Sequence, residues 1–184
     1  MGFDPGFANL GVTILDVYPA PMKPAVVACQ VVETKKANTK RGIRQYDDDT
    51  RRLEEILLAW TNLLATHQPD LVAGERLPSL RSAKVTRQLA TVFGGIFALS
   101  RSRDLQVVLF DPEEIKWGIA QDRTASKDDV FEALKHKLQP YKDWPATKKV
   151  EHVADAGSAA YLAGQTPLAQ VLLQARNHRA QTVV

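Results

Sequence analysis

The sequence has one cysteine, Cys29, in 184 residues, and no apolar stretch approaches the roughly 20 residues that a membrane-spanning helix needs. A single cysteine excludes an internal disulfide and a cysteine-rich zinc site, and it suits a reducing compartment. The opening Met1-Gly2-Phe3-Asp4 lacks the character of a secretory signal. A dominant charge is missing as well: 24 Lys and Arg against 21 Asp and Glu leave a net +3, too little to name a polyanionic partner by itself. Internal repeats, low-complexity tracts and linkers are also wanting, so residues 1–184 read as one domain. What remains is an ordinary globular composition, 45% hydrophobic and 24% charged, in a chain long enough to bury a core without staples. The expectation is a cytoplasmic domain with no membrane contact.

The N-terminal third reads as strands. Residues 2–4 form a short one that ends at the turn Pro5-Gly6, residues 10–17 alternate loosely, and residues 25–34 are rich in valine. Residues 46–67 repeat Leu53, Ile56, Leu57, Trp60, Leu63 and Leu64 at helical spacing, behind Asp47, Asp48 and Asp49 at the positive helix end. Residues 71–75 and 106–110 read as buried strands on either side of a helix over 80–100, whose apolar positions are Val85, Leu89, Val92, Phe93, Ile96 and Phe97. Ser126-Lys127-Asp128-Asp129 resembles a capping box that opens a helix. Further helices are expected over 147–163 and 167–176. The order β-β-β-α-β-α-β-α-α implies an α/β fold with a mixed five-stranded sheet, three strands antiparallel and two parallel, covered by helices on both faces.

That topology places two acids at one edge of the sheet, where open α/β sheets bind ligands. Asp4 ends the first strand, although Asp4-Pro5-Gly6 also reads as a plain turn. Glu75 ends an apolar strand, where a charge is costly unless it is paired, with Arg76 for example, or bound to metal. In Glu151-His152-Val153-Ala154-Asp155, His152 and Asp155 share a helix face, and Glu151 is a reserve ligand. The small residues around them would let this helix approach the sheet closely. Three carboxylates converging without a cation among them would repel one another, which hard divalent ions resolve. Two Mg²⁺ or Mn²⁺ ions about 3.5–4 Å apart can hold the attacking water and leaving oxygen of a phosphodiester in line, and an imidazole ligand tilts the choice toward Mn²⁺.

Gly2-Phe3-Asp4-Pro5-Gly6, Gly11, Glu75, Ser126-Lys127 and His152-x-x-Asp155 before an Ala-rich helix together resemble the RuvC family of Holliday junction resolvases, in the ribonuclease H-like nuclease superfamily. The likeness runs in order over residues 2–163. It implies a ribonuclease H-like sheet, metal-binding catalytic residues Asp4, Glu75, His152 and Asp155, and a basic Lys127 approaching the scissile phosphate. It also implies a homodimer that nicks two opposed strands of a four-way DNA junction in a bacterial or phage-infected cell. Relatives often carry an aromatic wedge a few residues after the glutamate. Here Arg76-Leu77-Pro78-Ser79-Leu80 has none, so Leu77, Pro78, Leu80 and Arg81 are the candidates to open the junction.

The positive charge is concentrated in two acid-free tracts. Residues 34–46 contain Lys35, Lys36, Lys40, Arg41 and Arg44, and residues 76–103 contain Arg76, Arg81, Lys84, Arg87, Arg101 and Arg103. Such residues supply non-specific affinity for phosphates and fix register without reading bases. The first tract also reads as a solvated hairpin tip. Three other readings stand beside junction resolution: a ribonuclease H-like nuclease acting on flapped DNA or RNA, a non-catalytic junction binder, and an actin-like or sugar-kinase ATPase. A binder gains nothing from clustered acids facing phosphate, and the ATPase folds need about twice this length.

Overall fold

The computed structural model describes residues 1–37, 42, 44–77, 82–146 and 149–182, and for residues 177 and 179–182 the backbone alone. Five strands form one sheet: β1 (Gly2–Asp4), β2 (Asn9–Asp16), β3 (Ala25–Glu33), β4 (Leu71–Glu75) and β5 (Gln106–Phe110), in the spatial order β3-β2-β1-β4-β5. The first three are antiparallel neighbours, and β4 and β5 add in parallel. The expected mixed sheet is therefore the observed one.

Strand alternation sorts the side chains between two helical layers. Phe3, Leu10, Val12, Ile14 and Val72 face α1 (Gln45–His67) and α2 (Ala83–Arg101), where Ile56, Trp60, Leu64, Val92 and Ile96 complete a core. Trp60 is fully buried; its ring meets Phe3 edge-on with centroids 5.6 Å apart, and its indole N–H donates to Ser100 Oγ at 3.3 Å. Leu71 and Ala73 face the other way, toward α3 (Pro112–Ala120), α4 (Lys127–Lys137) and α5 (Lys149–Gly164), with Ile115, Ile119, Leu134 and Ala159 filling that side. A last helix, α6 (Pro167–Thr182), packs beside α5.

Several expectations need correction. The sequence reading has no element over Pro112–Ala120, yet α3 is there. Asp111 caps it in a reciprocal box with Glu114, Pro112 stands in its first turn, and only Ile115 and Ile119 are buried, too few to show as a periodic stripe. Strand β5 is half-buried rather than buried, because it is the sheet's outer edge. On α2, Val85 and Phe97 are 42% and 40% exposed: its apolar stripe is wider than the face it buries, which centres on Val92 and Ile96. The last helix also runs beyond the expected residue 176.

Candidate active site

The pairing of β1 with β4 sets Gly2 beside Ala73 and Phe3 beside Gly74, so Asp4 and Glu75 come next along two adjacent parallel strands. Alternation points both acids to the face that α5 covers. The helix lies unusually close there because two strand residues have no side chain. A Cβ on Gly2 would collide with the carbonyl of Ala156, and one on Gly11 with the carbonyl of His152. The buried Thr13 hydroxyl adds a hydrogen bond of 2.7 Å to the carbonyl of Val153. Thus anchored, α5 carries His152 and Asp155 to the ends of β1 and β4. Lys127 arrives from α4, whose N-terminus is set by the capping box of Ser126 and Asp129. The resulting cleft, about 350 Å³, is lined by Asp4, Glu75, His152, Asp155, Lys127, Arg76 and Lys116, among others.

Asp4 and Asp155 each have a basic partner. His152 Nδ1 lies 2.7 Å from Asp4 Oδ2, and this hydrogen bond outweighs partial burial to raise the imidazole pKa above its ordinary value. Lys127 Nζ donates to Asp155 Oδ2 at 3.0 Å and stands 3.7 Å from Glu151 Oε2. Burial works against its ammonium, but the Asp155 hydrogen bond and the charges of Asp155, Asp4 and Glu151 prevail and hold its pKa above the usual lysine value. Burial also pushes the Asp155 carboxyl up, against the pull of Lys127. Glu75 is raised furthest, to about 7, by burial first and then by the charges of Asp155 and Asp4, with Lys127 and Lys116 acting in the opposite sense.

The expectation of carboxylates converging without a cation is thereby corrected: Lys127 and Lys116 stand among them. Among the described residues no group of three or more His, Cys, Asp or Glu side chains is arranged to hold a metal ion; His152 lies against Asp4 and Lys127 against Asp155. The donor set itself fits a hard divalent cation. Three carboxylates and an imidazole share one cleft, and the charges of Asp155 and Asp4 add to burial in raising Glu75, a repulsion that a cation would relieve.

The structure separates the expected DNA-contacting residues into groups. Arg76 lines the cleft and pairs with Asp111 at 3.1 Å, a partner the sequence reading did not foresee. Lys84 and Arg87 are exposed on the first turns of α2, and Lys35 and Lys36 are exposed after β3. Arg44 precedes α1 and pairs with Asp47 at 3.0 Å. Lys40, Arg41 and Arg81 lie outside the described residues, as do Pro78 and Leu80; Leu77 lines the cleft. Glu151 sits at the rim beside Lys127, not against Asp4 or Glu75. Lys116 was missed because its helix was missed; the signal available was the Asp-Pro-x-Glu cap before it.

The family model for "Crossover junction endodeoxyribonuclease RuvC" matches residues 1–161. The chain belongs to the RuvC family. Members of this family are metal-dependent nucleases. The chain is 28% identical over 140 residues to the RuvC of Natranaerobius thermophilus, covering 75% of this chain and 79% of that protein. It is 29% identical over 139 residues to the RuvC of Prochlorococcus marinus, covering 76% and 81%. Among solved structures it resembles Thermus thermophilus RuvC in complex with a Holliday junction substrate, with a TM-score of 0.72 at 21% identity over 88% of this chain and 92% of that one. It also resembles the yeast mitochondrial Holliday junction resolvase Ydc2, with a TM-score of 0.64 at 13% identity over all of this chain and 83% of that one. These RuvC-family likenesses carry the ribonuclease H-like fold; the site assignments rest on this chain's own geometry. Among the described residues no helix is long and apolar enough to cross a membrane.

Proposed function

We propose that this chain is a structure-selective endonuclease that resolves four-way DNA junctions, with Asp4, Glu75, His152 and Asp155 as its metal-binding catalytic set. The observation that carries the reading is the meeting of these four side chains in one cleft, brought from β1, β4 and α5, in a chain that matches the RuvC family over residues 1–161. The residues fit two divalent ions, Mg²⁺ or Mn²⁺, which when bound would supply an activated water and neutralise charge on the phosphate. The reaction adds water across one P–O bond of the backbone and leaves a phosphate monoester and a hydroxyl.

The chain's own groups do the rest. Lys127 and Lys116 put positive charge in the cleft, where a phosphate gathering negative charge is stabilised. Arg76, Lys84, Arg87, Lys35, Lys36 and Arg44, with Lys40, Arg41 and Arg81, supply contacts to the phosphates of the junction arms. A homodimer would present two such clefts to a substrate of matching twofold symmetry, and the single cysteine suits the reducing cytoplasm of a bacterial or phage-infected cell.

The test is a cleavage panel of a four-way junction, a flap, a duplex and an RNA–DNA hybrid, each with and without Mg²⁺ or Mn²⁺. Metal-dependent cutting of the junction in preference to the others is expected, and its loss in Asp4→Asn and Glu75→Gln. Preferred cutting of the hybrid or flap would contradict the substrate assignment. Undiminished cutting by either variant would contradict the site.

A further inference from the structure

The ion pair between Lys127 and Asp155 bears on the order of events at the site. Asp155 is mostly buried, with 19% of its side chain exposed, and its Oδ2 is taken by the Lys127 ammonium at 3.0 Å. An ammonium offers donors only, so at Oδ2 it and a divalent cation compete for the same lone pairs. Their charges also repel each other: a hard ion binds carboxylate oxygen at about 2.0–2.1 Å, which would set two cations against one another on the same group.

Lys127 is also free to leave. Its side chain is 59% exposed and its flexible stem can swing while the backbone stays. The backbone itself is pinned, because Ser126 Oγ accepts from the Asp129 amide at 3.2 Å and the Asp129 carboxylate accepts from the Ser126 amide at 3.1 Å. Glu151, 3.7 Å from the ammonium at the cleft rim, is a second carboxylate to which it can move.

We propose that Lys127 is the resident counter-cation of Asp155 and is displaced when a divalent ion binds, so that metal loading itself releases the ammonium into the cleft. Lys127 is then a positioning residue for the metal site before it is a phosphate ligand, and the Asp155 carboxylate keeps a cationic partner in both states. The inference rests on the metal-dependent reading above and adds the sequence in which the groups act.

The test measures the reactivity of Lys127 toward acetic anhydride by peptide mass spectrometry, normalised to Lys23, while Mg²⁺ is titrated and its binding is followed by calorimetry. Released from its carboxylate, Lys127 should be acylated several-fold faster, with a midpoint at the calorimetric dissociation constant. Lys127→Met should bind Mg²⁺ about fivefold more tightly, the factor expected for an ion pair of this exposure, and Lys127→Arg should stay within about twofold of the parent. Circular dichroism of both variants controls for folding. Mg²⁺ binding with no change in Lys127 reactivity, or a Lys127→Met protein that binds Mg²⁺ equally or more weakly, would overturn the displacement and leave the metal site standing. Absence of any Mg²⁺ binding that Asp155→Asn removes would overturn both.

Discussion

At the scale of single residues, Glu75 carries the sharpest electrostatic signature. Its carboxyl stands at about 7 against an ordinary 4.5, through burial and then the charges of Asp155 and Asp4. An acid with a raised folded-state pKa makes the native state bind more protons than the unfolded chain between those two values. Its contribution to stability therefore falls as pH rises from about 4.5 to 7 and stays low above that. Glu75→Gln imitates the protonated form at every pH. In metal-free buffer it should melt close to the parent near pH 4.5 and above it at pH 8, by on the order of 1–2 kcal/mol once solvent access to the cleft is allowed for. Parallel stability curves for the two proteins across this range would contradict the assignment. With Glu75 as a metal ligand, as proposed, the same linkage predicts that the metal affinity of the parent rises with pH through neutrality, read by calorimetry.

Elements decide whether those residues meet. Gly11 admits the backbone of α5 at His152, and Gly11→Ala would force that helix outward from the sheet. The expected cost is about 1–3 kcal/mol by denaturant unfolding, with weakened metal binding, since His152 and Asp155 ride on the displaced helix. A variant as stable as the parent with intact metal affinity would show that the close approach is not needed. On the opposite side, Arg52 is buried and ties α1 to the turn after Asp4: Nε donates to Thr34 Oγ1 at 2.9 Å, one Nη to the Phe7 carbonyl at 3.0 Å, and the guanidinium covers the Phe7 ring. Arg52→Ala should destabilise by on the order of 2 kcal/mol, and a change under about 0.5 kcal/mol would remove it from the support of that turn.

Much at this scale was legible in the chain. Asp4 and Glu75 were placed at a common sheet edge by topology, the cap at Ser126 by its spacing, and α5 by its run of small residues. Arg52 was not legible as a strut, because nothing local distinguishes it from the exposed Arg51 beside it. Helix α3, and Lys116 with it, escaped because a nine-residue helix with two buried isoleucines leaves almost no periodic trace. The ion pair of Lys127 with Asp155 joins residues 28 apart in sequence and follows only from how α4 meets α5.

For the whole molecule, a net charge of +3 conceals a segregated distribution. The cleft collects acids, while Lys84 and Arg87 stand exposed on α2 in a tract with no acid from residue 76 to 103. If these lysine and arginine side chains bind junction arms, replacing both with alanine should weaken junction binding at physiological salt. It should also lower the slope of log affinity against log salt by about one for each phosphate no longer neutralised, with metal binding unchanged. An unchanged slope would take this face off the DNA. A twofold enzyme acting on a twofold junction is tested by cleavage of a four-way junction end-labelled separately on each of its four strands. Metal-dependent nicks are expected at symmetric positions in two opposed strands, lost with Glu75→Gln. Nicks confined to one strand, or spread equally over a linear duplex of the same sequence, would contradict it.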